Sequence, residues 1–175
     1  ATGPGVIGNA TSTATSCPTA SNGTVTADAT AGVAPFTYSL DGGPPQSGAN
    51  PYTFINVAAG PHTITITDNV GCTITINVNV TAGPPLTATV NSNATTCSGA
   101  SDGTITVTPT NGMAPYTYAL DGGAPVPGPV PFTFTNVPAG NHTVAVTDAA
   151  GCVTGSIAVV VNAGPVLTTT VTITD

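Results

Sequence analysis

Polar and apolar positions alternate with period two through most of the chain. The stretches "GTVTADAT" from Gly23 and "GTITVTPT" from Gly103 alternate strictly, as a strand does when one face meets a core and the other meets water. "PFTYSL" places Phe36, Tyr38 and Leu40 on one face, and "PYTYAL" does the same with Tyr116, Tyr118 and Leu120. Tyr52 with Phe54 and Phe132 with Phe134 continue the pattern, as do Ile64 with Ile66 and Val144 with Val146. "TITINVNV" and "GSIAVVV" follow. Turn signals fall between these runs: Asn22-Gly23 and Asp102-Gly103, the Asp-Gly-Gly triplets from Asp41 and Asp121, then "TDNVGC" and "TDAAGC". In the segment "NAGPVLTTTVTITD", Leu167, Thr169, Val171 and Ile173 share one face. That predicts a half-buried strand, and a strand cannot satisfy its backbone alone.

The runs come in pairs because the chain repeats itself. Cys17 and Cys97, Asp41 and Asp121, His62 and His142, and Cys72 and Cys152 are each 80 residues apart, and half the positions from Cys17 to Val80 are identical to their counterparts. With a leading strand before each first cysteine, a copy holds six or seven strands in about 80 residues, which fits an antiparallel sandwich. The fold expected is all-β: two tandem immunoglobulin-like antiparallel β-sandwich domains, 1–81 and 82–162, plus an extra C-terminal β-strand over 163–175. That last segment aligns with "AGPPLTATVNSNATTC" and "TGPGVIGNATSTATSC" and reads as the first strand of a third copy. One residue more separates Cys152 from Gly164 than Cys72 from Gly83, which suggests a bulge.

Composition narrows the function. The chain has no Lys or Arg, seven acidic residues, all Asp, two His and a formal charge of -7. Phosphate binding draws on Lys and Arg to release counterions, and anionic lipid surfaces attract the same residues, so nucleic acid and membrane adsorption are excluded as partners. No run of 18 apolar residues predicts membrane insertion. Disorder is also excluded, since 40% of residues are hydrophobic and 35 are Thr, a β-branched residue suited to pleated surfaces.

Cysteines at repeated spacing predict disulfides and an export compartment. The expected pairs are Cys17 with Cys72 and Cys97 with Cys152, which keeps each bridge inside one copy and closes a loop worth about 4 kcal/mol. A metal site fits poorly, because the cysteines of a copy are 55 residues apart, without a CxxC and with one His. His62 and His142 lie in phase with buried positions and read as packing residues. Asp41, Asp68, Asp121 and Asp148 head turns, where short acids bond nearby N–H groups; a weak calcium site is the alternative for these four. No nucleophile elbow, phosphate loop or Cys–His signature is present, so no enzyme and no cofactor are expected.

The signature "G-x-APYTYALDGG … FTNVPAGNHTVAVTDAAGC" resembles the SprB-type repeat of very large surface adhesins from gliding bacteria, over residues 17–80 and 97–160. His62 and His142 stand where that family often has Tyr. The resemblance implies secretion to the cell surface, a disulfide-stapled β-sandwich and tandem arrays. The expected function is a structural subunit of an extracellular filament, in which Leu167, Thr169, Val171 and Ile173 add to the sheet of a neighbouring identical subunit, head to tail. The alternative is a fragment of a long tandem-repeat adhesin that binds a glycan or protein ligand through its loops.

Overall fold

The computed structural model describes residues 5–169. The chain divides into two compact units, Ala1–Pro84 and Pro85–Asp175, and every described element in both is a strand. The first unit contains β1 (Ile7–Thr13), β2 (Gly23–Ala31), β3 (Thr37–Leu40), β4 (Gln46–Ser47), β5 (Tyr52–Val57), β6 (Gly60–Thr67) and β7 (Thr73–Val80). The second contains β8 (Thr87–Asn93), β9 (Gly103–Thr110), β10 (Tyr116–Leu120), β11 (Val126–Gly128), β12 (Phe132–Val137), β13 (Gly140–Thr147) and β14 (Ile157–Val161).

Each unit is an immunoglobulin-like sandwich of three strands on four. The sheets run β1-β2-β5 and β4-β3-β6-β7 in the first unit, and β8-β9-β12 and β11-β10-β13-β14 in the second; all pairings are antiparallel. Period-two alternation puts Val25, Ala27, Ile64, Ile66, Tyr38, Val57 and Val80 between the sheets of the first unit. Ile105, Val107, Tyr118, Val137, Val144, Val146 and Val161 are buried in the second. Tyr52 stacks on Tyr38 at 5.3 Å, and Phe132 on Tyr118 at 4.5 Å. On the outer faces Thr hydroxyls bond across strands where other proteins place ion pairs: Thr13 with Thr24 at 2.8 Å, Thr26 with Thr53 at 2.9 Å, and Thr87 with Thr110 at 2.6 Å.

Seven crossings give each unit an entry end and an opposite exit end. In the first unit Ile7, Ala31, Thr67 and Thr73 lie toward the entry end, while Thr13, Thr24, Gly60 and Val80 lie toward the exit end. The short β4 carries the chain back to the entry end before β5, and the patterning of its two residues gives no signal for it. The extra residue of the second unit is a bulge. Thr147 faces Val153, yet Val144 faces Ile157, so one residue too many lies between. Gly155 takes φ +74° there, and Thr154 Oγ1 accepts the Val146 N–H at 3.1 Å.

The described part of the expected C-terminal strand, 163–169, joins no ladder. Within the second unit the first-strand place on β9 is already held by β8. Val171 and Ile173 lie outside the described residues.

A glycine fixes how the chain leaves each unit. Gly83 N–H donates to Thr15 Oγ1 at 3.2 Å and Gly164 N–H to Thr95 Oγ1 at 3.0 Å. A Cβ on Gly83 would run into the carbonyl oxygens of Thr15 and Ser16. Gly83→Ala is therefore expected to lower stability by about 1–3 kcal/mol, as overpacking of a filled site does, whereas Gly5→Ala, at an open position, should change it by less than about 0.5 kcal/mol. Denaturant midpoints check both; equal midpoints for the two variants would contradict the hook.

Candidate functional site

The site with most to explain is the place taken by the first strand of each unit. Positions 80 residues apart face inward along the first strands: Val6, Gly8 and Ala10 in one, Leu86, Ala88 and Val90 in the other, and the next position on that face, Ser12 or Ser92, is exposed in the first unit and half-buried in the second. Val6 and Leu86 anchor the entry ends at 7% and 4% exposure. Aligned with β8, the segment after β14 offers Leu167, Thr169, Val171 and Ile173. It leaves through the same hook, Gly164 on Thr95, that launches β8 from Gly83 on Thr15. Yet Leu167 is 89% exposed and Val166 71%, and Thr169 is exposed as well.

The first-strand place in the first unit is poorly filled. Gly8 and Ala10 are only half-buried, and Ile7 and Ser12 are exposed. The β1–β2 ladder slips between Ile7 and Gly8, whereas β8 and β9 keep register throughout. At the slip, a Cβ on Gly8 would meet Asp28 O and Ile66 Cδ1, each at 2.7 Å.

The cysteines do not pair as expected. Cys17 follows β1 at the exit end, where Thr15 N–H bonds Thr81 O at 3.0 Å. Cys72 lies in the β6–β7 turn at the entry end, where its N–H reaches Asp68 Oδ1 at 2.8 Å. The eight residues of β7 separate these ends by roughly 26 Å, and a disulfide needs Cα atoms within about 7 Å. Cys97 and Cys152 occupy the corresponding opposite ends of the second unit. Neither bridge inside a unit forms: Cys72 and Cys97 are free thiols, half-buried, while Cys17 and Cys152 are each disulfide-bonded.

The four candidate aspartates also stay apart, two at each end. Asp68 and Asp148 are buried and spend their oxygens on backbone. Asp68 Oδ1 accepts the Val70 and Cys72 N–H groups at 3.0 and 2.8 Å, and Oδ2 accepts that of Val33 at 3.2 Å. Asp148 does likewise with Ala150, Cys152 and Met113, all at 2.9–3.0 Å. These bonds tie the loop after the second strand to the turn before the last. Although burial pushes the Asp68 carboxyl up, the N–H groups of Cys72, Val33, Val70 and Gly71 hold it below its ordinary value. A carboxylate so engaged has little left for calcium, and among the described residues no cluster of three His, Cys, Asp or Glu is gathered.

Asp41 and Asp121 instead meet the histidines. Asp41 Oδ2 lies 2.7 Å from His62 Nδ1, and Oδ1 accepts the Thr63 N–H at 2.8 Å. Asp121 repeats this with His142 and Thr143 at 2.7 and 2.8 Å. His62 Nε2 faces the Ala58 carbonyl and His142 Nε2 the Pro138 carbonyl, both at 3.0 Å. With an acceptor at each ring nitrogen, both nitrogens must donate, so the imidazolium form fits. Hydrogen bonding to Asp41 raises the His62 pKa despite burial, and bonding to Asp121 and the Pro138 carbonyl raises that of His142. The Asp41 carboxyl is pushed up by burial but is held below its usual range by His62 and Thr63; Asp121 is lowered chiefly by His142. The histidines therefore do more than pack. The constant spacing of 21 residues between Asp and His in both copies was the available signal, and reading each residue separately misses it.

A raised histidine pKa means that its stabilisation is complete below the unfolded value of about 6.5 and is lost as pH climbs through the folded value. A lowered aspartate pKa means that its share is present above about 4 and is lost as pH falls through the folded value. The melting temperature is expected to be highest between these limits and to decline as pH rises through the raised histidine values, and the alkaline decline should shrink in a His62→Tyr/His142→Tyr double variant. Calorimetry across pH checks this; an unchanged alkaline slope in the variant would contradict it.

Beside the Asp41–Gly43 turn lies an open groove of about 320 Å³, lined by Leu40, Gly43, Pro44, Gln46, Tyr52 and Phe54 among others. Among the described residues no helix is long and apolar enough to cross a membrane.

Comparison with known proteins adds the following. No curated protein matches the chain. Among solved structures, fibronectin(III)-like modules of CbhA from Clostridium thermocellum are similar at 18% identity and a TM-score of 0.39, covering 90% of this chain and 95% of that one. A chimeric titin Z1Z2-Z1Z2 tandem, functionalized with a GRGDS peptide from fibronectin, is similar at 15% identity and a TM-score of 0.29, covering 91% and 99%. The SprB repeat model matches residues 9–45 and 89–125, one stretch in each unit from the first strand through the Asp-Gly-Gly turn, and both units thus resemble the SprB repeat family.

Proposed function

We propose that the chain is building material for an extracellular fibre at the cell surface. In this reading the segment 163–175 supplies the first strand of the first unit of another copy, head to tail. The observation that carries it is the contrast between Leu86, 4% exposed at the start of β8, and Leu167, 89% exposed after an identical hook. Burying a leucine is worth about 1.5–3 kcal/mol, and a strand gains a ladder of backbone bonds when it joins an edge.

The acceptor is the place now held by β1. Leu167, Thr169, Val171 and Ile173 bring more apolar surface to it than Val6, Gly8, Ala10 and Ser12. Thr169 would stand at the Gly8 position, where a Cβ needs the ladder in regular register, as Ala88 has it in β8. Identical subunits are then the partners, and a contact that does not close into a ring gives an open filament. The reading assigns the chain no catalysis and no cofactor.

The Asp41–Gly43 groove favours a second reading, a tandem-repeat adhesin that binds a glycan or peptide there. Specific glycan binding that disappears in a Tyr52→Ala variant would support it.

A chain ending at Asn162 is expected to stay folded, with a melting temperature lowered only by loss of the Gly164–Thr95 hook, and to form no filaments by electron microscopy. Normal filaments from it would refute the strand-addition mechanism.

A further inference from the structure

We propose that each joint of such a fibre is closed by a disulfide between Cys97 of one copy and Cys72 of the next. The proposal rests on the head-to-tail reading above. Cys97 is to the second unit what Cys17 is to the first, the cysteine at the exit end; Cys72 is to the first unit what Cys152 is to the second, the cysteine at the entry end. One exit cysteine and one entry cysteine, Cys17 and Cys152, are disulfide-bonded. The remaining exit cysteine and entry cysteine, Cys97 and Cys72, are free thiols, half-buried.

The local geometry puts both thiols beside the path of the donated strand. Cys97 flanks its point of departure: a Cβ on Gly164 would lie 2.6 Å from Cys97 N, and Ser98 N–H bonds the Pro165 carbonyl at 3.1 Å. Cys72 flanks its point of arrival. Its N–H is held by Asp68, whose other oxygen binds the Val33 N–H in the loop against which Val6 packs. Leu167 takes the Val6 position in the acceptor, so only three residue steps, at most about 10 Å, connect the neighbourhood of Cys97 to that of Cys72.

The chemistry is oxidation of two thiols. One S–S bond forms and the S–S bond of an oxidant of the disulfide class, a thiol–disulfide oxidoreductase or oxidised glutathione, breaks; the two electrons and two protons pass to that oxidant, which becomes two thiols. A strand held by backbone bonds alone can dissociate; a disulfide at the same joint makes the linkage covalent and sensitive to reductant.

The test uses the full chain and its Cys72→Ser and Cys97→Ser variants, each incubated with oxidised glutathione and run on denaturing gels with and without dithiothreitol. The wild type is expected to give a ladder in steps of 16.8 kDa that collapses on reduction. Either variant alone should lose the ladder, and an equal mixture of the two should recover a dimer band, because only the mixture holds one free Cys97 and one free Cys72. Dimers of Cys72→Ser alone, as abundant as in the mixture, would overturn the pairing in favour of Cys97 with itself. Filaments of wild type that show no ladder would overturn the staple and leave strand addition standing. A mixed dimer from chains that form no filaments would support the staple and count against the fibre.

Discussion

A chain that crosses a sandwich an odd number of times must leave it at the end opposite to the one it entered. Each unit here has seven crossings, and that parity governs much else. It sends the first cysteine of each copy to the exit end and the second to the entry end, so that a bridge inside the copy is impossible. It also means that the segment after β14 departs at the exit end.

Within each unit, stability is assembled without Lys or Arg. Apolar alternation fills the space between the sheets, and Thr–Thr hydroxyl pairs lace the outer faces. Buried Asp68 and Asp148 spend their charge on backbone N–H groups that would otherwise go unpaired at a loop and a turn. The two histidines are the side chains of the described residues that become cations when protonated, and each is bonded to an aspartate on a neighbouring strand end. None of these devices reaches far from the surface that it stabilises, so an edge left without a neighbour gains little from long-range charge. Backbone pairing and apolar burial are the forces open to it.

Much of the fold was legible in the sequence, because period two is a direct consequence of a pleated strand with one buried face. Val25, Ile64, Ile66 and their counterparts are buried as the alternation requires, and the extra residue near Thr154 is a bulge. What the sequence could not convey was β4. Two residues long and fully exposed, it has no face to alternate, yet it decides the parity. Counting six strands places Cys17 and Cys72 at one end and invites a bridge; counting seven separates them. The Asp41–His62 pair was hidden for a different reason. It is built by the register of β3 against β6, Leu40 opposite Ile64, and a register is not visible in either residue alone.

The account stands or falls on where the segment after Asn162 finds its backbone partners. Hydrogen–deuterium exchange on assembled fibres, compared with dispersed chains, reads this directly at each amide. The account predicts that amides 167–174 become slow to exchange in the fibre while those of Ile7–Thr13, displaced from β2, become fast. Free exchange at 167–174 in the fibre, with Ile7–Thr13 still protected, would contradict it.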